Sequence, residues 1–341
     1  MIRFFLSSLS FLLVLPWQAD GQGLPITQSF VFEEASFPQC HASTLVETPE
    51  GIVVAWFGGT HEKHEDVGIW VSRLENEEWT PPQEVANGMQ HMDKRYPCWN
   101  PVLYYDDDLG TLLFFKVGPS PREWWGEWMS SPDLGKTWSK PVRLPEDILG
   151  PVKNKPIRLS NGKLLCGSST EHDGWKVHVE LYDPQIGTWL RRAVPSDSTL
   201  QVIQPSLIQH EDGRIQMLCR SRNNVVTNSW SEDDGMTWSS MEATTLPNPN
   251  SGIDGAIDPS GTIWLLYNPT TITKGEWGGS RWPLTLAKST DGVDWQKVID
   301  LEYEPGEYSY PAIVTSSDGT IHMTYTWKRQ RIKYVRISPG S

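Results

Sequence analysis

Cysteine, positive charge and long apolar runs are all scarce in this sequence, and each shortage removes a class of protein. Four cysteines (Cys40, Cys98, Cys166 and Cys219) in 341 residues are too few for a disulfide-stapled scaffold. Cys166 and Cys219 lie in apolar, strand-like runs, KLLCG and IQMLCR, and read as buried thiols. A bridge between Cys40 and Cys98, each opening a strand, stays open. No CxxC pair occurs, so neither a zinc site of that kind nor any cofactor is expected. The formal net charge of −13 argues against nucleic acid, whose phosphates need a basic face. A small anionic ligand is still allowed, because a few convergent arginines dominate a cleft locally.

Beyond the N-terminus no stretch is apolar and long enough to cross a bilayer. At the N-terminus Arg3 precedes FFLSSLSFLLVLP, and Ala19-Asp20-Gly21 then supplies small residues. This is the pattern of a secretory signal cleaved after Gly21. The expectation is an exported protein, secreted or periplasmic. Its mature chain, 22–341, is a monomeric single domain with no stable membrane span.

What is abundant points to short strands and turns. The chain holds 18 Trp, 28 Gly and 26 Pro, a mixture that long helices rarely use. Two stretches fit S-x-D-x-G-x-T-W without a mismatch: Ser131, Asp133, Gly135, Thr137, Trp138, and Ser231, Asp233, Gly235, Thr237, Trp238. A shorter third runs from Ser289 through Asp291 and Gly292 to Trp295, and degenerate versions end at Trp79 and Trp189. The motif describes a hairpin turn in which Asp accepts backbone N–H groups, Gly takes positive φ and Trp packs between sheets.

A second marker runs in phase with the first. Gly51, Gly110, Gly162, Gly213, Gly261 and Gly319 recur at intervals of 59, 52, 51, 48 and 58 residues. Each is followed by an alternating strand such as IVVAWF, TLLFFKV or RIQMLCR. The first five stand 28, 28, 27, 25 and 34 residues before the Trp that closes the unit. Six units of about 50 residues, each of four short strands, predict an all-β, six-bladed β-propeller. The last unit ends in RIKYVRI without a motif of its own, so ITQSFVFEE near the N-terminus is expected to complete that blade and remove a free sheet edge. A β-sandwich is the alternative, but it leaves six in-phase markers unexplained.

The complete S-x-D-x-G-x-T-W boxes and the six-unit count resemble the sialidase (neuraminidase) superfamily, in particular its bacterial Asp-box repeat members. The resemblance covers nearly the whole mature chain. It implies a glycan-binding cleft on one face, with arginines holding a carboxylate, a tyrosine nucleophile assisted by Glu, and an acid/base Asp. Position by position, the family's Arg after the Asp212-Gly213 turn falls on Arg220, with Arg222 a weaker member on the same strand face. The assisting Glu falls on Gln204, which is neutral and takes no proton from tyrosine. Arg281 matches the next arginine. The nucleophile motif resembles Tyr308-Ser309-Tyr310, where Tyr308 fits the letters and Tyr310 the spacing, and Tyr310 is preferred. The first-blade arginine is missing: QCHA stands there, and His41 is the nearest polar substitute. In the loop after AWFGG, Glu62 and Asp66 both suit the acid/base role, while His61 and His64 nearby read as a solvated loop rather than a metal site. Glu171, after the third unit's inner strand, is a further candidate for the mouth, and Trp99, Trp124, Trp125 and Trp277 either pack blades or stack on sugar rings.

These residues imply an exo-acting glycoside hydrolase on an acidic sugar of a glycan or polysaccharide. Two alternatives stand beside it. One is a lyase or other hydrolase using His41 and Tyr310 as acid and base on a uronic-acid glycan; the other is a glycan-binding propeller without catalysis.

Overall fold

The computed structural model describes residues 25–91 and 93–339. The expected signal segment, residues 1–21, lies outside them. Six antiparallel sheets of four or five strands follow one another along the chain. Their innermost strands are Gln39–Thr48, Cys98–Asp106, Ile157–Arg158, Val202–Gln209, Asp254–Ile257 and Tyr308–Thr315. We number the blades one to six in that order. The sixth is completed from the other end of the chain: Ile26–Phe30 pairs antiparallel with Arg331–Ile337, Ile26 opposite Ile337 and Phe30 opposite Lys333. The ring is therefore closed by hydrogen bonds between its first and last strands.

The period-two pattern has a direct structural meaning. A propeller sheet has a neighbour on both faces, so alternate residues of one strand serve two different seams. In Gly51–Gly59, Val53, Ala55 and Phe57 pack toward blade two, while Ile52, Val54 and Trp56 pack toward blade six. In Ile215–Ser221, Ile215, Met217 and Cys219 join blade three, and Leu218 joins blade five. The apolar core divides into six clusters, one at each seam. All four cysteines are buried and free, Cys40 in the seam between blades six and one and Cys98 in that between one and two, so no Cys40–Cys98 bridge forms.

The repeated turns lie together on one face of the ring. Each marker glycine joins the first strand of a blade to its second and takes positive φ, between 71° and 124°. The Asp boxes join third strands to fourth and, in an antiparallel meander, emerge on the same side. In both complete boxes the serine hydroxyl accepts the glycine N–H (Ser131 from Gly135 at 2.8 Å, Ser231 from Gly235 at 2.9 Å). The aspartate accepts both the N–H and the hydroxyl of the threonine, at 2.7 and 2.7 Å for Asp133 and at 2.8 and 2.6 Å for Asp233. Gly235 has a second reason to be glycine: a Cβ there would sit 2.7 Å from the Leu165 side chain of blade three. The opposite face carries the starts of the innermost strands and the loops joining second strands to third. Everything with chemistry gathers there.

Candidate active site

At that face the innermost strands do not enter straight. Ala42, Asn100, Lys153, Gln204 and Tyr310 all have positive φ, between 39° and 75°. Such values are uncommon outside glycine and are held by surrounding structure. Register breaks follow in blades one, four and six, between His41 and Thr44, Ile203 and Ser206, and Ser309 and Ala312. Each bulge re-aims a side chain that simple alternation would direct into a seam. Tyr308 and Tyr310, two apart, accordingly part company. Tyr308 is buried in the core between blades five and six, whereas Tyr310 turns to the axis.

Around the Tyr310 hydroxyl a closed polar triangle forms. Arg220 Nη1 donates to Tyr310 Oη at 3.2 Å and to Gln204 Oε1 at 3.2 Å, and Gln204 Nε2 donates to Tyr310 Oη at 3.1 Å. The other edge of the Arg220 guanidinium donates to the side chain and carbonyl of Asn250, with Nη2 2.8 Å from Oδ1. Arg281 Nη1 donates to the same Asn250 carbonyl at 2.8 Å. Burial first, then Arg220 close by, lowers the Arg281 pKa to about 10, which still leaves it charged at neutral pH.

His41 lies against this group, its ring centroid 4.3 Å from that of Tyr310. It is 3% exposed, and its Nδ1 has no hydrogen-bond partner among the described residues. Burial, reinforced by Arg329, Arg281, Arg220 and Lys153, keeps its pKa well below the ordinary value, so the imidazole is neutral.

Arg329 is a residue the sequence did not single out. It occupies the three-residue turn between Ile321–Trp327 and Arg331–Ile337, where Lys328 and Arg329 both have positive φ. Its guanidinium bridges Glu307 at 2.9 Å and Glu62 at 2.8 Å. Burial opposes its charge, but the two carboxylates outweigh burial and raise its pKa. A cation thus stands beside blade one, whose own arginine is missing, on a neighbouring blade. Asn250 and the axial Lys153 were missed as well.

Glu62 and Asp66 have separate fates. Glu62 faces Arg329. Asp66 closes its own loop, accepting from Thr60 N at 2.9 Å and Thr60 Oγ1 at 2.6 Å, with His64 Nδ1 2.8 Å away. Those contacts overcome partial burial and hold its carboxyl below the ordinary range. Glu171 is half-buried near Arg220, Arg222 and Arg122; burial outweighs the arginines and raises its pKa. Arg222 stacks over Trp277 at 4.0 Å and Trp175 at 4.3 Å. Trp277, 59% exposed, offers an open ring at the rim. Trp99 is buried and donates to Gly118 O, with Trp124 edge-on to it, while Trp125 is covered by Arg143 and donates to Glu127. Among the described residues, no three or more His, Cys, Asp or Glu are grouped to hold a metal ion.

A closed ring of four-stranded blades with an arginine–tyrosine cleft at one mouth defines a sialidase-like propeller. Residues 50–323 match the BNR repeat-like domain, and the chain belongs to that family. No functionally curated protein matches it. Among solved structures it is similar to a protein of unknown function from Dyadobacter fermentans, with a TM-score of 0.73 and 15% identity over 92% of this chain and 99% of that one. It is also similar to the Hadza microbial sialidase Hz136, with a TM-score of 0.72 and 18% identity over 88% of this chain and 66% of the other. The intramolecular trans-sialidase from Ruminococcus gnavus gives a TM-score of 0.68 and 12% identity over 88% and 94% of the two chains. At these identities the likeness is one of fold.

Proposed function

We propose that this chain is an exported glycoside hydrolase acting from the end of a glycan on an acidic sugar. The observation that carries the reading is the triangle of Arg220, Gln204 and Tyr310, with Arg281 joined to it through the Asn250 carbonyl. Arg220 and Arg281 hold the sugar's anionic group by charge-assisted hydrogen bonds, and Arg329 supplies the cation that blade one lacks. Tyr310 attacks the anomeric carbon. Gln204 takes no proton from the phenol, so the proton passes to the neutral His41 imidazole that lies against the Tyr310 ring. Arg220, 3.2 Å away, meets the negative charge on the phenolate oxygen. Glu62, positioned by Arg329, is the acid/base group: it takes up a proton from solvent as the glycan binds and passes it to the leaving oxygen. Water deprotonated by Glu62 then releases the sugar, and His41 returns the proton to the tyrosine. Glu171, Arg222 and Trp277 line the rim on the side where the rest of the glycan lies.

A second reading rests on His41. A neutral, buried imidazole with an unpartnered Nδ1 against Tyr310 is also what proton abstraction beside a uronic-acid carboxylate requires, with Tyr310 as the acid. A panel of sialyl, uronyl and rhamnosyl glycosides separates the readings. Hydrolysis releases a reducing sugar without a chromophore, whereas elimination creates an unsaturated product absorbing in the near ultraviolet. Absence of turnover on the whole panel, with binding retained in Tyr310→Phe and Glu62→Gln, would leave a glycan-binding propeller without catalysis.

A further inference from the structure

Beneath the triangle, on the propeller axis, lies a buried lysine. Lys153 is 3% exposed and comes from the segment entering blade three, at φ 75°. Its ammonium donates three hydrogen bonds: to Asn154 Oδ1 at 2.8 Å, to Ile253 O of the segment entering blade five at 2.7 Å, and to Pro311 O of blade six at 2.5 Å. Three donors meet three acceptors, the full capacity of a protonated lysine. Asn154 reaches the other way and donates from Nδ2 to Gln204 O of blade four at 3.1 Å.

The acceptors are not arbitrary carbonyls. Gln204 O and Pro311 O belong to the two left-handed bends that aim Gln204 and Tyr310 at Arg220. Gly252 fits between lysine and tyrosine: a Cβ there would lie 3.2 Å from Lys153 Cε and 3.6 Å from the Tyr310 ring. Both bends are sparsely populated conformations, and each has an anchor donated from blade three.

We propose that Lys153, together with Asn154, is a positioning residue: it spans the axis and fixes the bends that present Tyr310 and Gln204 to Arg220. The proposal deepens the reading above, since it takes Tyr310 as the group to be presented. It also makes the site sensitive to the lysine's charge. The charged groups around the ammonium are Asp254, which favours the proton, and Lys155 and Arg220, which oppose it; His41, close enough to feel the ammonium, is neutral. Burial is the largest influence, and it brings the pKa down to about 7. Once neutral, the amine has two hydrogens for three acceptors, and one anchor must go.

The test uses the full chain with its tyrosines labelled at Cζ, the Tyr310 signal being the one missing from Tyr310→Phe. In the wild type that signal takes a small step as pH rises through about 7. In Lys153→Met the signal is displaced at pH 6 and the step is lost, with the other nine tyrosine signals unmoved. An unmoved Tyr310 signal in Lys153→Met overturns the proposal. Should that variant fail to fold, Asn154→Ala decides instead: it removes the anchor on Gln204 O, and an unmoved Tyr310 signal in it overturns the proposal. On a glycoside that the wild type turns over, Lys153→Met lowers kcat about 10²-fold with KM within a factor of two. If the wild type turns over no glycoside, the functional reading falls, and the tyrosine signals still decide the role of Lys153.

Discussion

The two faces of this ring are built on opposite principles. On the turn face the same Asp box is used again, and every bond in it stays within about one hairpin: Ser131 to Gly135, Asp133 to Thr137, and their counterparts in blade four. On the cleft face no short motif is repeated, although blades four, five and six each bring an arginine, Arg220, Arg281 and Arg329. The bonds there cross the axis instead, as from Lys153 to Pro311 and from Arg220 to Tyr310. Local repetition makes the scaffold, and non-local variety makes the site.

That contrast can be broken experimentally, and the largest effect is expected on the cleft face. Tyr310→Phe removes the hydroxyl at the centre of the triangle and should lower turnover of an accepted glycoside by about 10²–10⁴-fold, leaving the melting temperature nearly unchanged. A large loss of stability with activity intact would reverse the assignment of roles to the two faces. Next come the glycines of the turn face. Gly235→Ala combines positive φ with a 2.7 Å approach to Leu165 and should cost about 2–3 kcal/mol of stability. Gly213→Ala has the same backbone sign but open space around it, and should cost about 1 kcal/mol. Equal losses in denaturant melts would show that packing on the neighbouring blade is irrelevant. Arg220→Lys keeps the charge and loses the fork, so KM for an anionic glycoside should rise about tenfold; an unchanged KM would remove Arg220 from the anion site.

The smallest effect is on acid stability. Hydrogen bonds from the Thr137 side chain and backbone bring the Asp133 pKa down to about 2. A depressed carboxylate contributes stability above its unfolded pKa of about 3.9 and loses it as pH falls toward 2. Wild type should therefore lose stability between pH 4 and 2 more steeply than Asp133→Asn. Parallel curves would deny the box its charge-dependent part.

The same contrast explains what could be read from the sequence. The turn face was legible because Asp boxes and glycine turns are local: four to eight adjacent letters carry the whole structure. Blade count, the six seams and closure by ITQSFVFEE followed from those letters. The cleft was legible only where it resembles a known pattern, as at Arg220, Gln204, Arg281 and Tyr310. Lys153 was passed over because a lysine in VKNKP looks like any polar loop residue until the ring closes over it. Arg329 escaped because its turn is distant in sequence from both Glu62 and the blade it assists. One local signal was present and unread: Asn100, Gln204 and Tyr310 each precede a proline, at the places where blades two, four and six bend in.

Closure by Ile26–Phe30 also has a consequence for how the molecule comes into being. Of the described strands that one leaves the ribosome before all the others, and its partner, Arg331–Ile337, after all the others. Until then blade six has an open flank, and until Tyr308–Thr315 is in place the axis has no sixth wall and Lys153 lacks the Pro311 carbonyl that completes its shell. A chain cut short by a single blade would therefore leave an unsatisfied ammonium where the finished ring keeps a fully bonded one.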